Sequence, residues 1–198
     1  MSQAISAPGG SVPARITHDR PPMIAVGVMI WLGSEVMFFS GLFAAFFTIR
    51  AGDHPWPPLG THVDTIQAGI FTAILVSSSF TMQKAIFDLE RRDRRGARVW
   101  IGWTLALGLM FIGNQFYEWV TQTTRWTTNS WGSLFYIMSG LHGLHVIIGL
   151  IAMIFLLGRI KGMEGDPGEL ASAQAVSYYW HFVDIVWVGL YSCLFLLK

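Results

Sequence analysis

The chain closes on the run "YYWHFVDIVWVGLYSCLFLLK", residues 178–198. It is long and apolar enough to cross a bilayer as a helix, which takes about 20 such residues. Yet it carries His181 and Asp184 three positions apart. Ionisable side chains inside a membrane are expensive and survive only when paired, neutralised or put to use. Four explanations stand open for them: a catalytic site, a metal site, a proton path, or polar contacts that join helices.

The rest of the chain shares this character. Of its 198 residues, 53% are hydrophobic and only 13% are charged. Soluble domains carry about 25% charged residues, so the composition is that of a membrane protein. A single cysteine, Cys193, excludes an internal disulfide, a cysteine zinc site and an iron–sulfur cluster. No dinucleotide-binding, phosphate-loop or HExxH pattern occurs, and nothing points to nucleic acid. The opening "MSQAISAPGGSVPARITHDRPP" is polar and rich in small residues, so it reads as a tail rather than a signal peptide or span.

Five apolar runs are expected to span the membrane, at about 23–49, 66–87, 100–120, 133–158 and 174–197. The links between them carry loop chemistry. "HPWPPLGTH" is rich in Pro and Gly, "ERRDRRGAR" is a charge run, "TTRWTTNSWG" is polar, and "KGMEGDPGEL" is Gly-rich and acidic. With five spans, ten of the thirteen Lys and Arg residues fall on the side of the N-terminal tail. The excess of cations on one side places that side in the cytoplasm. The expected fold is therefore an all-α membrane protein, a bundle of five transmembrane helices with a cytoplasmic N-terminus and an outer C-terminus. Residues 1–21 form a cytoplasmic tail and 22–198 a single domain. Trp56, Trp119, Trp126 and Trp131 are expected at the outer interface.

Six ionisable residues lie in or near the spans: Glu35, Glu118, His142, His145, His181 and Asp184. At 1.5 Å per residue, Glu35, His145 and Asp184 lie roughly 15–20 Å from the cytoplasmic end of their helices. They could meet at one level if those helices adjoin. His142 and His145, at i and i+3, share a helix face, as do His181 and Asp184. Gly140, Gly143 and Gly149 around the histidine pair would let another helix approach closely. Glu118 sits at the outer end of its span, close to water. A mononuclear metal site of His142, His145 and Asp184 is conceivable, as is a haem held between His145 and His181. A polar network between helices explains the same residues with no metal, because each histidine has a carboxylate at plausible depth.

These residues sit in motifs that resemble subunit III of the haem–copper terminal oxidases, the cytochrome c oxidases in particular. The resemblance is carried by "SEVMFFSGLFAAFF", "NQFYEW", "WGSLFYIMSGLHGLHVIIGL" and "YYWHFVDIVWVGLY", in the family's order and over four of the five spans. It implies a non-catalytic core subunit of a proton-pumping oxidase that reduces oxygen to water with electrons from cytochrome c. On that resemblance the chain binds no cofactor or metal of its own, and the haems and copper lie in subunits I and II. It would pack on subunit I, support proton uptake, protect against inactivation during turnover, hold phospholipids and reside in the bacterial plasma membrane, open to a larger respiratory supercomplex. Glu35 matches the family's buried glutamate, which reacts with carbodiimide in some members. The other five polar residues match positions implied to be structural or lipid-related, none catalytic. Many members have seven spans; this chain resembles the five-span bacterial form, which puts the lipid cleft in question. Subunit III of a quinol oxidase is the alternative, and Ser34-Glu35 with the doubled Tyr178-Tyr179 speaks for the cytochrome c type. A stand-alone haem protein or proton channel is the rival of another class.

Overall fold

In the computed structural model the described residues are 23–197, apart from 54, 59–60, 62, 123 and 163–167. The expected N-terminal tail lies outside them. Five long helices follow one another: α1 (Met23–Gly52), α2 (Thr65–Glu90), α3 (Arg94–Thr121), α4 (Ser130–Gly162) and α5 (Gly168–Tyr191), the last continuing as a π-helical turn over Ser192–Leu196. All five contain windows long and apolar enough to span a membrane. Each covers one of the five apolar runs, and most extend beyond it into polar flanks.

Local chemistry fixes the helix ends. Asp64 caps α2, its side chain accepting from the backbone N–H of Ile66 and Gln67 at 3.1 and 3.0 Å. Asp93 caps α3 by accepting from Gly96 N–H at 2.9 Å. Such caps satisfy N–H groups that have no partner inside the helix. Between them the chain reverses in a tight turn, with Arg92 at φ 62° and Asp93 N–H donating to Asp88 O at 2.8 Å. The charge run is thus only briefly a loop, and Arg94, Arg95 and Arg98 already belong to α3.

Helix α5 is the hub. It packs against α1, α2 and α4, while α2 and α3 form an antiparallel pair and α4 closes against α3. Three tryptophans anchor this arrangement: Trp131, Trp180 and Trp187 are almost fully buried. The Trp180 indole wedges between α2, α3 and α4. A Cβ on Gly149 would stand 2.8 Å from its ring, and one on Gly108 would stand 2.9 Å from it. Its Nε1–H donates to Ser78 Oγ at 2.8 Å. Trp131 lies at the expected end of the bundle, but it faces inward and stacks on Phe135 at 5.1 Å. Trp126, by contrast, is exposed.

Helix α1 stands at the edge. Only 6% of its spanning window is buried, against 56% for α5. It contributes Phe39 and Phe46 to the core, two turns apart on one face. The remainder, including Ile30, Met37 and Phe47, points outward. In a bilayer this is the face offered to lipid or to another subunit. Hydroxyls exposed on α1 satisfy themselves locally: Ser34, Ser40 and Thr48 donate to the carbonyls of Trp31, Val36 and Ala44.

Candidate functional site

The six predicted residues do not converge on one centre. They divide into two hydrogen-bonded groups and two separate positions.

The first group joins α1 to α4. His145 Nε2 lies 3.1 Å from Glu35 Oε2, and His145 Nδ1 lies 2.7 Å from the Leu141 carbonyl oxygen. A carbonyl only accepts, so Nδ1 carries a hydrogen and donates it. A hydrogen bond between Nε2 and Oε2 then takes one proton, supplied by the acid or by an imidazolium. Wherever it rests, the pair is neutral as a whole, either acid with imidazole or carboxylate with imidazolium. That is the cheaper way to hold these groups in an apolar medium. Phe39 meets the imidazole edge-on at 5.1 Å, and Tyr179 O–H donates to the His145 carbonyl at 2.9 Å. Trp31 stacks on Tyr179 at 5.1 Å. Three helices thereby converge on one pair, which retains partial access to the outside: the side chains of His145 and Glu35 are 10% and 19% exposed.

The second group joins α5 to α2. Ser79 Oγ hydrogen-bonds Asp184 Oδ2, and His181 Nδ1 lies 2.9 Å from the same hydroxyl. Asp184 is buried and His181 half-buried. Asp184 does not reach Glu35 or His145 despite the similar depth. The α5 face that bears it is turned toward α2, whereas Tyr179 meets α4.

His142 and His145 occupy one side of α4 yet serve different contacts. His142 is fully buried, stacks on Trp187 at 4.7 Å and meets Phe111 edge-on at 6.0 Å. Neither of its ring nitrogens has a hydrogen-bond partner among the described residues. Glu118 lies apart from all of these. It lines a cavity of about 280 Å³ with Asp64, Gln67, Thr121 and Gln122, at the end of the bundle where α2 begins and α3 ends.

Sequence reasoning named the ionisable groups but missed the hydroxyls that receive them. Ser78 holds Trp180, Ser79 holds Asp184 and His181, and Thr72 accepts from Trp187 Nε1–H at 2.9 Å. The available signal was the run Ser77-Ser78-Ser79 inside an apolar helix. Among the described residues no three His, Cys, Asp or Glu side chains form a group fit for a metal ion. The donors weighed for a metal or haem fall into three separate contacts: His145 on Glu35, His142 against Trp187, and His181 with Asp184 on Ser79.

Comparison with known proteins gives a consistent result. The family described as cytochrome c oxidase subunit III matches residues 17–197. A "Probable cytochrome c oxidase subunit 3" of Nocardia farcinica is 45% identical over 203 residues, covering the whole of both chains. One of Mycobacterium leprae is 42% identical over 203 residues, again over the whole of both. A "Cytochrome c oxidase subunit 3" of Corynebacterium diphtheriae is 38% identical over 205 residues with the same full coverage.

Proposed function

The chain belongs to the cytochrome c oxidase subunit III family, and from that premise we propose how it serves the enzyme. It is a multi-pass subunit of the bacterial plasma membrane whose partners are the other oxidase subunits. It carries no redox step. It packs against subunit I, supports proton uptake there and prolongs activity during turnover. The supporting observation is the division of its buried ionisable residues into separate helix-joining groups, Glu35 with His145 and Asp184 with Ser79 and His181. Side chains committed to such contacts stabilise a bundle and hold protons in it; they do not present a common centre for a redox group.

Its orientation follows from the charge distribution. Arg91 and Arg92 lie at the turn between α2 and α3, Arg94, Arg95 and Arg98 begin α3, and Lys84 and Arg159 lie toward the same end of the bundle. That end faces the cytoplasm, and the C-terminus faces outward. Phospholipid is held along the edge of the bundle. A groove of about 150 Å³ with a wholly apolar lining runs between α1, α4 and α5, walled by Val28, Trp31, Ile148, Val176 and Tyr179. Its shape and chemistry suit an acyl chain. The electron donor is cytochrome c rather than a quinol, in keeping with Ser34-Glu35 and the paired Tyr178-Tyr179.

The test is spectroscopic. The oxidase stripped of this chain should keep its haem absorption, and the chain alone should show no Soret band. A Soret band from the isolated chain would overturn the reading. A dinuclear copper site in subunit II of the same complex would confirm the donor.

A further inference from the structure

The contact between α2 and α5 contains more than a buried carboxylate with a partner. Ser79 Oγ touches both Asp184 Oδ2 and His181 Nδ1. A hydroxyl offers one hydrogen and two lone pairs, so it donates to one neighbour while accepting from the other. Among the arrangements that satisfy it, two differ only in where one proton sits. In one, the Asp184 carboxylate accepts the Ser79 hydrogen, and Ser79 accepts from His181 Nδ1–H of an imidazolium. In the other, a protonated Asp184 donates to Ser79, and Ser79 donates to Nδ1 of a neutral imidazole that keeps its hydrogen on Nε2. The two differ by one proton passed along the chain. Asp184 gains what His181 loses, Ser79 exchanges one hydrogen for another, and no heavy atom needs to move.

The ends of this chain see different surroundings. Asp184 is 5% exposed, and its Oδ1 is buried with no hydrogen-bond partner. His181 is half-buried and lies beside the outward face of α5 that carries Tyr178, Ile185 and Val188. Several other charged or titratable groups on α5 and the helices packed against it have partners of their own. On α2, Lys84 pairs with Asp88 at 2.8 Å. On α1 and α4, Glu35 pairs with His145. His142, also on α4, stacks on Trp187. On α5 itself, Glu169 pairs with Arg94 at 2.6 Å.

The geometry assigns to Asp184, Ser79 and His181 one shared-proton site, in which the Ser79 hydroxyl passes a proton between a buried carboxyl and an imidazole at the bundle surface. The site is distinct from the Glu35–His145 pair, which joins α1 to α4. It rests on the packing of α2 against α5 and stands apart from the assigned role in turnover. Strongly interacting groups titrate as a unit rather than one by one. Asp184 and His181 should therefore respond to pH together, and only through Ser79.

Infrared difference spectroscopy of the purified complex across a pH series tests this. Bands that vanish in Asp184→Asn and His181→Gln identify the carboxyl and the imidazole. In the native complex both should change through common apparent midpoints. Ser79→Thr, which keeps the hydroxyl, should preserve this behaviour. Ser79→Ala should separate the two responses by about one pH unit or more. If Ser79→Ala disrupts assembly, the two assigning variants decide: each should shift the other residue's response by a similar amount. Unchanged midpoints in Ser79→Ala, or an imidazole response indifferent to Asp184→Asn, would overturn the proposal.

Discussion

Glu35 on α1 and His145 on α4 face each other at 3.1 Å, with the second imidazole nitrogen committed to the Leu141 carbonyl. This contact ties α4 to a helix that buries little else among the described residues. α1 otherwise depends on Phe39, Phe46 and their neighbours against the hub helix.

Removing either partner should loosen α1. Interhelical hydrogen bonds in membranes contribute about 0.6 kcal/mol on average and at most about 1.7 in measured cycles. A double-mutant cycle of Glu35→Leu and His145→Leu should give a coupling of about 1 kcal/mol in chain-dissociation or thermal-unfolding measurements. Glu35→Gln should lose less, because the amide still offers a hydrogen bond to Nε2. Full additivity of the two leucine substitutions would show that the pair contributes nothing.

The two membrane carboxyls should differ in reactivity. The Glu35 side chain is 19% exposed at the edge of the bundle, while Asp184 is 5% exposed beneath α2. An apolar carbodiimide should label Glu35 first, read by peptide mass spectrometry after limited reaction. Glu35→Gln should abolish the early label. Preferential labelling of Asp184 would contradict the placement of these helices.

Close packing around Trp180 gives a steric test. A Cβ on Gly108 would meet Leu150 Cδ2 at 2.7 Å, and one on Gly149 would meet the indole at 2.8 Å. Gly108→Ala and Gly149→Ala should each destabilise by about 1–3 kcal/mol, the usual range for overpacking. Gly143→Ala, on the same helix as Gly149, meets nothing within 4 Å and should be neutral or slightly stabilising. Equal effects at positions 143 and 149 would refute the packing at Trp180.

The ion pair between Arg94 and Glu169 should respond asymmetrically. Glu169 is buried, whereas the Arg94 side chain is 27% exposed. Arg94→Ala would leave a buried carboxylate without its cation, whereas Glu169→Gln leaves a neutral amide whose oxygen still accepts from a partly exposed guanidinium. The arginine variant should lose more stability, by about 1–3 kcal/mol, the penalty for an orphaned buried polar group. Thermal melting of the complex distinguishes the two.

The helices were legible because a span needs about 20 apolar residues, and five such runs are plain. The ionisable residues were equally plain, since few charges interrupt them. Their partners were not. Spacing at i and i+3 puts His142 and His145 on one side of α4, but it does not say that their directions diverge. One reaches α1, and the other enters the core against Trp187. Ser79 escaped notice because a hydroxyl in an apolar helix often satisfies itself on the preceding turn, as Ser77 does with the Ala73 carbonyl. Trp131 shows the same limit. Composition gives its height in the bundle, but only packing shows that it faces inward.

We propose that this chain sustains an oxidase whose redox chemistry lies in other subunits. The most direct measurement follows oxygen consumption and proton uptake by the complex, with and without the chain, through prolonged turnover. The depleted enzyme should keep its haem spectra and its initial activity at low pH, take up protons more slowly at high pH, and lose activity as it turns over. Full and lasting activity without the chain, or immediate loss of the haem spectra on its removal, would contradict the proposal.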